Sequence, residues 1–152
     1  MAENHHEYPR MLGALLRIPF QAIVTKIEAG LRARGYTDLR PAHFVVFQHI
    51  RPEGSRITEL AERAQMTKQS MSELVHYVEA KGYLEREPDP RDHRASIVRL
   101  SMKGEAVNNA AREIIRQVEE EWSNQIGREQ MNALKQGLMA IIRVIEVENS
   151  NQ

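Results

Sequence analysis

The chain has 152 residues, with 21 Lys plus Arg balanced by 21 Asp plus Glu, a single-domain length without the net charge of an indiscriminate polyanion binder. Its 41% hydrophobic and 28% charged residues exclude a wholly disordered chain, and the lack of cysteine excludes disulfides, thiolate nucleophiles, Cys-ligated zinc and thiol-based redox sensing. No apolar run reaches the roughly 18 residues of a membrane span, and Met1 to Arg10 lacks the apolar stretch of a secretory signal, so a cytoplasmic protein with one compact core and no membrane partner is expected.

From Tyr8 to Arg34, Leu12, Leu15, Leu16, Ile23, Ile27 and Leu31 recur at three- and four-residue intervals, the spacing of an amphipathic helix. Pro19 is expected to bend or divide it, and Gly35 to end it. Pro41 suits the first turn of a second helix carrying Phe44, Val45, Phe47, Gln48 and Ile50, closed by Pro52-Glu53-Gly54. Thr58 is placed to cap a short helix, Glu59 to Ala64, with Gln65 and Met66 as the turn. Thr67 caps the next helix, Lys68 to Lys81, whose Met71, Leu74, Val75 and Val78 face inward by spacing, and Gly82 terminates it. The period then changes: Tyr83 to Glu87 and Ser96 to Leu100 read as two short strands joined by a polar loop. Ser101 caps a long helix with Val107, Ala111, Ile114, Ile115, Val118 and Trp122 on one face. Gly127 separates it from a last helix striped by Met131, Leu134, Leu138, Ile141, Ile142 and Ile145, before Asn149 to Gln152 fray.

The net charges of residues 1–54, 55–103 and 104–152 are +2, +1 and −3, which leaves room for a local basic patch: Arg86 to Lys103 holds Arg86, Arg91, Arg94, Arg99 and Lys103 against Glu87, Asp89 and Asp92. Helix, tight turn, helix and two-stranded hairpin, in that order, make a winged helix-turn-helix, and small Ala61 allows the two helices to cross closely. Leu60, Met66, Met71 and Leu74 fall where the helices touch each other and the core. Gln65 stands in the turn where glycine is favoured, and a positive φ there costs on the order of 1 kcal/mol. With the other face buried, the second helix presents Gln69, Ser72, Glu73 and His76. Such short polar groups fit a B-DNA major groove, where Gln69 can pair with adenine and Glu73 can accept from the cytosine amino group. Lys68, Ser70 and the amides of the helix start are available to phosphates. Glu73 has no Lys or Arg three or four residues away and repels phosphate, so it reads a base or limits non-specific binding. In the loop, Arg91, His93 and Arg94 are within reach of a minor groove, with Asp89 or Asp92 holding an arginine in the reaching pose by a charge-assisted hydrogen bond.

Four stretches carry a resemblance to the MarR family of bacterial transcriptional regulators. They are Leu39-Arg40-Pro41-Ala42-His43-Phe44; Glu59-Leu60-Ala61-Glu62-Arg63; Val78-Glu79-Ala80-Lys81-Gly82-Tyr83-Leu84; and Asp89-Pro90-Arg91-Asp92-His93-Arg94-Ala95 running into Val98-Arg99-Leu100-Ser101-Met102-Lys103-Gly104. The resemblance spans about residues 11 to 147. It implies a mainly α fold with a small β-hairpin wing: one MarR-like domain over 1–152, with dimerisation helices at 8–34 and 104–147 and a winged helix-turn-helix at 39–103. It implies a homodimer that offers one winged unit to each half of a pseudo-palindromic operator in double-stranded DNA, repression being the family's commonest mode. The DNA-reading residues carried over are Gln69, Ser70, Ser72, Glu73 and His76 on the helix, and Asp92 and Arg94 on the wing. The chain departs from the family at Arg40, where a capping Thr is common, at His43 (Gln), at Gln65 (Gly) and at Glu73, where a basic or small residue is usual. A small aromatic acid or amphipathic effector is the family's frequent ligand, and Arg17, Phe20, His43 and Phe47 are the candidate pocket, with Arg17 available to a carboxylate.

No nucleophile motif, glycine-rich phosphate loop or paired carboxylates stand out, so no enzyme, catalytic residue or cofactor is assigned. His43 and His49 lie about 240° apart around one helix and do not share a metal unaided, and His5 and His6 bind metal only adventitiously. No metal site is assigned. The alternative reading is a dimeric winged-helix module that binds another protein without useful DNA affinity, motivated by the neutral charge and Glu73.

Overall fold

The computed structural model describes residues 11–151; the expected helix start at Tyr8, the His5 and His6 pair and Gln152 lie outside them. Six helices and one hairpin follow in the order α1 (Leu12–Ala33), α2 (Pro41–His49), α3 (Ile57–Arg63), α4 (Lys68–Ala80), β1 (Leu84–Asp89), β2 (Asp92–Leu100), α5 (Met102–Ile126) and α6 (Arg128–Ser150). The fold class is therefore mainly α with a small hairpin wing. The chain divides into two compact units, one ending at Ile114 and the other beginning at Ile115.

In the first unit, α1 runs through Pro19 without dividing. It stops at Gly35, whose φ of +93° lets its N–H bond to the Arg32 carbonyl while the Tyr36 N–H reaches back to Leu31, closing the helix end in a Schellman motif. Gly82 ends α4 in the same way, onto Glu79 and Val78. Pro41 opens α2, which ends one residue short of the expected Ile50; that residue is already extended. Thr58 does not cap α3. The helix begins two residues before the expected Glu59, at Ile57, and its first turn is closed by the Arg56 N–H bonding Glu59 Oε2 at 2.9 Å, half of a capping box made from the far end.

The hairpin is longer than the expected strands. Pairing runs from Leu84 opposite Leu100 to Asp89 opposite Asp92, with an irregularity at Pro88/Asp89, so Asp92, His93 and Arg94 belong to β2 and only Pro90 and Arg91 make the turn. Pro88 opposes Ser96 within the ladder, which a two-stranded sheet tolerates because each strand has an open edge. Tyr83 precedes β1 rather than opening it. Ser55 adds a bridge of its own, exchanging two 2.9 Å backbone bonds with Val98.

The core of this unit joins Val46 of α2, Leu60 and Ala61 of α3, Met71, Val75 and Val78 of α4, Leu84, Ile97 and Val98 of the hairpin and Val107 of α5, all buried. Met66 and Leu74, expected at the helix contact, are half-buried. Ser101 joins α4 to α5: its Oγ donates to the Gly82 carbonyl at 2.6 Å and accepts the Gly104 N–H at 3.1 Å. Gly104 itself lies so near that an added Cβ would stand 2.1 Å from the Tyr83 carbonyl oxygen.

In the second unit, Gly127, at φ +96°, divides α5 from α6, and Lys135 of α6 pairs with Glu119 of α5 at 2.5 Å. Val118 and Met131 are buried. Leu134, Ile141, Ile142 and Ile145 of the α6 stripe are exposed, as are Leu12, Leu15 and Leu16 on α1 in the first unit. α6 does not fray at Asn149; it continues to Ser150, whose Oγ donates to the Glu146 carbonyl.

Candidate nucleic-acid interface

α4 rises from a turn that the sequence makes with a strained residue. Gln65 has φ +53°, and the N–H groups of Gln65 and Met66 close onto Glu62 and Ala61, the same helix end that Gly35 and Gly82 make without strain. Thr67 then caps α4, its Oγ1 accepting the Ser70 N–H at 3.1 Å. That bond uses one of the expected phosphate donors; the Met71 N–H, bonded to the Thr67 carbonyl, begins the helix ladder, and the amides of Lys68 and Gln69 have no acceptor among the described residues.

With Met71, Val75 and Val78 sealed in the core, Lys68, Gln69, Ser70, Glu73 and His76 are exposed and Ser72 is half-buried. Five of the six expected groups thus stand open. Glu73 has no ion-pair partner among the described residues, so its carboxylate is an acceptor facing outward.

α4 is held from behind by an aromatic cluster. The Tyr77 hydroxyl donates to the Asp38 carbonyl at 2.6 Å and the Tyr83 hydroxyl to Asp38 Oδ1 at 2.5 Å. Burial, followed by that hydrogen bond to Asp38, pushes the Tyr83 hydroxyl pKa well up. His43 stacks on Tyr77 with ring centroids 4.3 Å apart, and Phe47 meets Tyr83 edge-on at 6.1 Å. The Arg40 N–H bonds to His43 Nδ1 at 2.9 Å, so a neutral imidazole occupies the capping position. Burial holds the His43 pKa down, Asp38 opposing and Arg40 adding to the effect. His49 is likewise lowered, by burial and then by Arg63. His43 and Phe47 thus serve intramolecular packing, while Arg17 and Phe20 are exposed on α1, Phe20 by 55%.

The wing arginines differ in their attachments. Asp89 is fully buried: its Oδ2 accepts Arg56 Nε at 2.5 Å, and its Oδ1 accepts the Arg91 backbone N–H at 2.9 Å and Arg91 Nε at 3.3 Å. The Arg91 backbone bond, then the two guanidinium groups, hold the Asp89 pKa at about 2 against the effect of burial. Arg91 also reaches Glu59 Oε1 at 3.0 Å, which ties the turn to α3. Glu59 is held below its ordinary pKa, first by the Arg56 N–H and then by Arg91 and Arg63, against burial. Arg86 is drawn onto Glu79 at 3.0 Å, Arg99 pairs with Glu87, and Lys103 donates to the Lys81 carbonyl at 2.8 Å while lying over the Tyr83 ring. Arg94 alone of the hairpin's arginines projects almost wholly into solvent, its side chain 93% exposed, with Asp92 Oδ1 accepting both its N–H at 3.1 Å and its Nε at 3.2 Å. Asp89 and Asp92 therefore each hold an arginine, one against the body and one outward; His93 is exposed beside them.

Sequence reasoning missed Ser55 and Arg56. Ser55 is fully buried, its Oγ accepting the Arg51 N–H and Arg63, while Arg56 spans 33 residues to reach Asp89. No local pattern signals either one; a charged pair reaching across the fold shows only in three dimensions.

A buried helix-turn-helix with a polar outer face, flanked by a hairpin that presents one oriented arginine, defines a winged helix-turn-helix protein. Residues 37–95 match the model of the MarR family. A transcriptional regulator from Thermotoga maritima is similar at 29% identity, over 92% of this chain and 97% of that one, with a TM-score of 0.63. MarR from E. coli, in its apo form, shares the fold at 20% identity, over 88% and 98% of the two chains, with a TM-score of 0.71. The repressor CouR, bound to a 23-mer DNA duplex, shares it at 24% identity, over 87% and 92%, with a TM-score of 0.68. No curated protein sequence matches the chain significantly. The chain thus carries a MarR-family match over its winged segment, within a fold that it shares with solved MarR-family regulators. Among the described residues, no helix is long and apolar enough to cross a membrane.

Proposed function

We propose that the protein is a homodimeric, cytoplasmic repressor, without catalytic activity, that reads a pseudo-palindromic operator. Lys68, Gln69, Ser70, Ser72, Glu73 and His76 enter the major groove, and Arg91, Asp92, His93 and Arg94 serve the wing. One observation carries the reading: the exposed polar face of α4 stands on a sealed apolar core while Arg94, aimed outward by Asp92, flanks it. Arg94 is the minor-groove reader and Arg91 braces the turn. Two-fold pairing sets the two α4 helices about 34 Å apart, one helical turn of B-DNA. The same fold is seen on a 23-mer duplex in the repressor CouR.

Binding to operator duplex is expected to fall steeply with salt, as lysine and arginine displace phosphate counterions. Arg94→Ala should cost about 1–3 kcal/mol of DNA affinity while leaving the dimer folded. The absence of any footprint at low salt favours the alternative, a protein-binding module, for which the outward, unpaired Glu73 is the motive. The effector part of the reading, a small aromatic or amphipathic acid near Arg17, Phe20, His43 and Phe47, predicts a raised melting midpoint with at least one aromatic acid. No stabilisation across a panel removes it.

A further inference from the structure

Beneath the wing turn, between the α2–α3 loop, α3 and Pro90-Arg91, lies a cavity of about 240 Å³ bordered by Arg51, Glu53, Glu59, Arg63, Asp89 and Arg91. Counted formally, its charges cancel; counted by hydrogen-bonding capacity, they do not. Asp89 accepts from Arg56 and Arg91 on Oδ2 and from Arg91 on Oδ1. Glu59 accepts the Arg56 N–H on Oε2 and Arg91 on Oε1. These two carboxylates are engaged on both oxygens. The guanidinium groups are not. Each offers five N–H donors; Arg63 directs Nη1 to the His49 carbonyl and Ser55 Oγ, with Nη2 a loose 3.8 Å from Glu59, and Arg91 leaves its Nη1 unused. The Arg51 side chain has no hydrogen-bond or ion-pair partner among the described residues, only its backbone N–H being bound, by Ser55 Oγ at 3.1 Å. Glu53, exposed at the rim, is the one bordering carboxylate without a partner.

The surplus is of donors, so an occupant must bring acceptors. The geometry points to a binding site for a small oxyanion, a phosphate or carboxylate group, held by Arg51, Arg63 and Arg91 under the wing turn. The volume takes such a group with several waters, each filling about 30 Å³ of liquid. Two sources supply that chemistry: a free anionic metabolite, or a backbone phosphate of bound DNA. Because Arg91 is shared between the cavity and Glu59, an oxyanion draws on the contact that ties the turn to α3.

The site is tested without DNA, so its outcome is separate from that of the operator reading. Full-length protein is titrated with inorganic phosphate, and in parallel with acetate, at constant ionic strength against chloride, following the Arg91 and Gly54 amide resonances. A saturable shift is expected, weakened at least fivefold in Arg51→Gln, whose exposed side chain bears no core contact that folding requires; an unchanged melting midpoint verifies this. Drift equal to that in chloride, or saturation indifferent to Arg51→Gln, overturns the site. The source is then read with duplex present. If the occupant is a DNA phosphate, Arg51→Gln lowers duplex affinity and phosphate competes beyond chloride; if it is a free anion, Arg51→Gln leaves duplex affinity unchanged in its absence.

Discussion

The winged unit and the two terminal helices use similar apolar patterning to opposite ends. In residues 39–104 nearly every large apolar side chain with helical or strand spacing is covered by the same chain; Val46, Leu60, Met71, Val75, Val78 and Val98 expose essentially nothing. On α1 and α6, Leu15, Leu16, Leu134, Ile141, Ile142 and Ile145 repeat at the same intervals and remain open. Periodicity reports that a face is to be covered, not by which chain. Apolar surface on that scale calls for a partner, and the proposed dimer supplies a second copy of the same helices.

The largest way to break the contrast is to charge the open face. Ile142→Asp, at a position 52% exposed, should leave each chain's fold intact and convert the dimer to monomer in sedimentation at micromolar concentration, with operator affinity falling by orders of magnitude. A variant that remains dimeric shows that α6 is not the assembly surface. The matching change in the sealed unit is Gly104→Ala. Its methyl would meet the Tyr83 carbonyl at 2.1 Å, so α5 must shift, and a loss of about 2–4 kcal/mol in chemical denaturation is expected. Equal stability would mean that the α5 start adapts without cost.

A smaller effect separates polar from apolar cement within the winged unit. Asp89 has a folded pKa of about 2 against an ordinary 3.8, so its contribution is complete above that ordinary value and disappears as pH falls toward 2. Asp89→Asn should therefore be less stable than the parent at pH 6, and the gap between their melting midpoints should narrow between about pH 4 and 2. A constant gap assigns the loss to packing instead of charge. The smallest effect is at Gln65, where relief of the positive φ by Gln65→Gly should raise stability by less than about 1 kcal/mol, offset in part by the greater freedom of glycine in the unfolded chain.

Local chemistry was readable from the chain itself. Thr67 and Ser101 cap where their hydroxyls meet the third amide onward, and Gly35, Gly82 and Gly127 adopt positive φ at helix ends, because each depends on neighbours within a few residues. The exposed face of α4 was readable for the same reason. Thr58 misled because a serine or threonine cap competes with a backbone N–H served from Glu59, and either leaves the same pattern. Pro88-Asp89-Pro90 reads as a loop, yet Pro88 fits an open edge and Asp89 is drawn inward by Arg56. The single-residue pairing of Ser55 with Val98 has no alternation to detect. What failed to show in the chain was the set of distant contacts, above all the pairing of the hairpin arginines with Asp89, Glu59, Glu79 and Glu87, which leaves Arg94 as the one arginine of the wing standing almost wholly in solvent.

Asp38 anchors two tyrosines at once, Tyr77 from the last turn of α4 and Tyr83 from just beyond its end. The short connector between α1 and α2 is thereby tied both to α4 and to the residue that leads into β1. With one residue accepting both hydroxyls, loss of Asp38 would release the connector from α4 and from the start of the hairpin together.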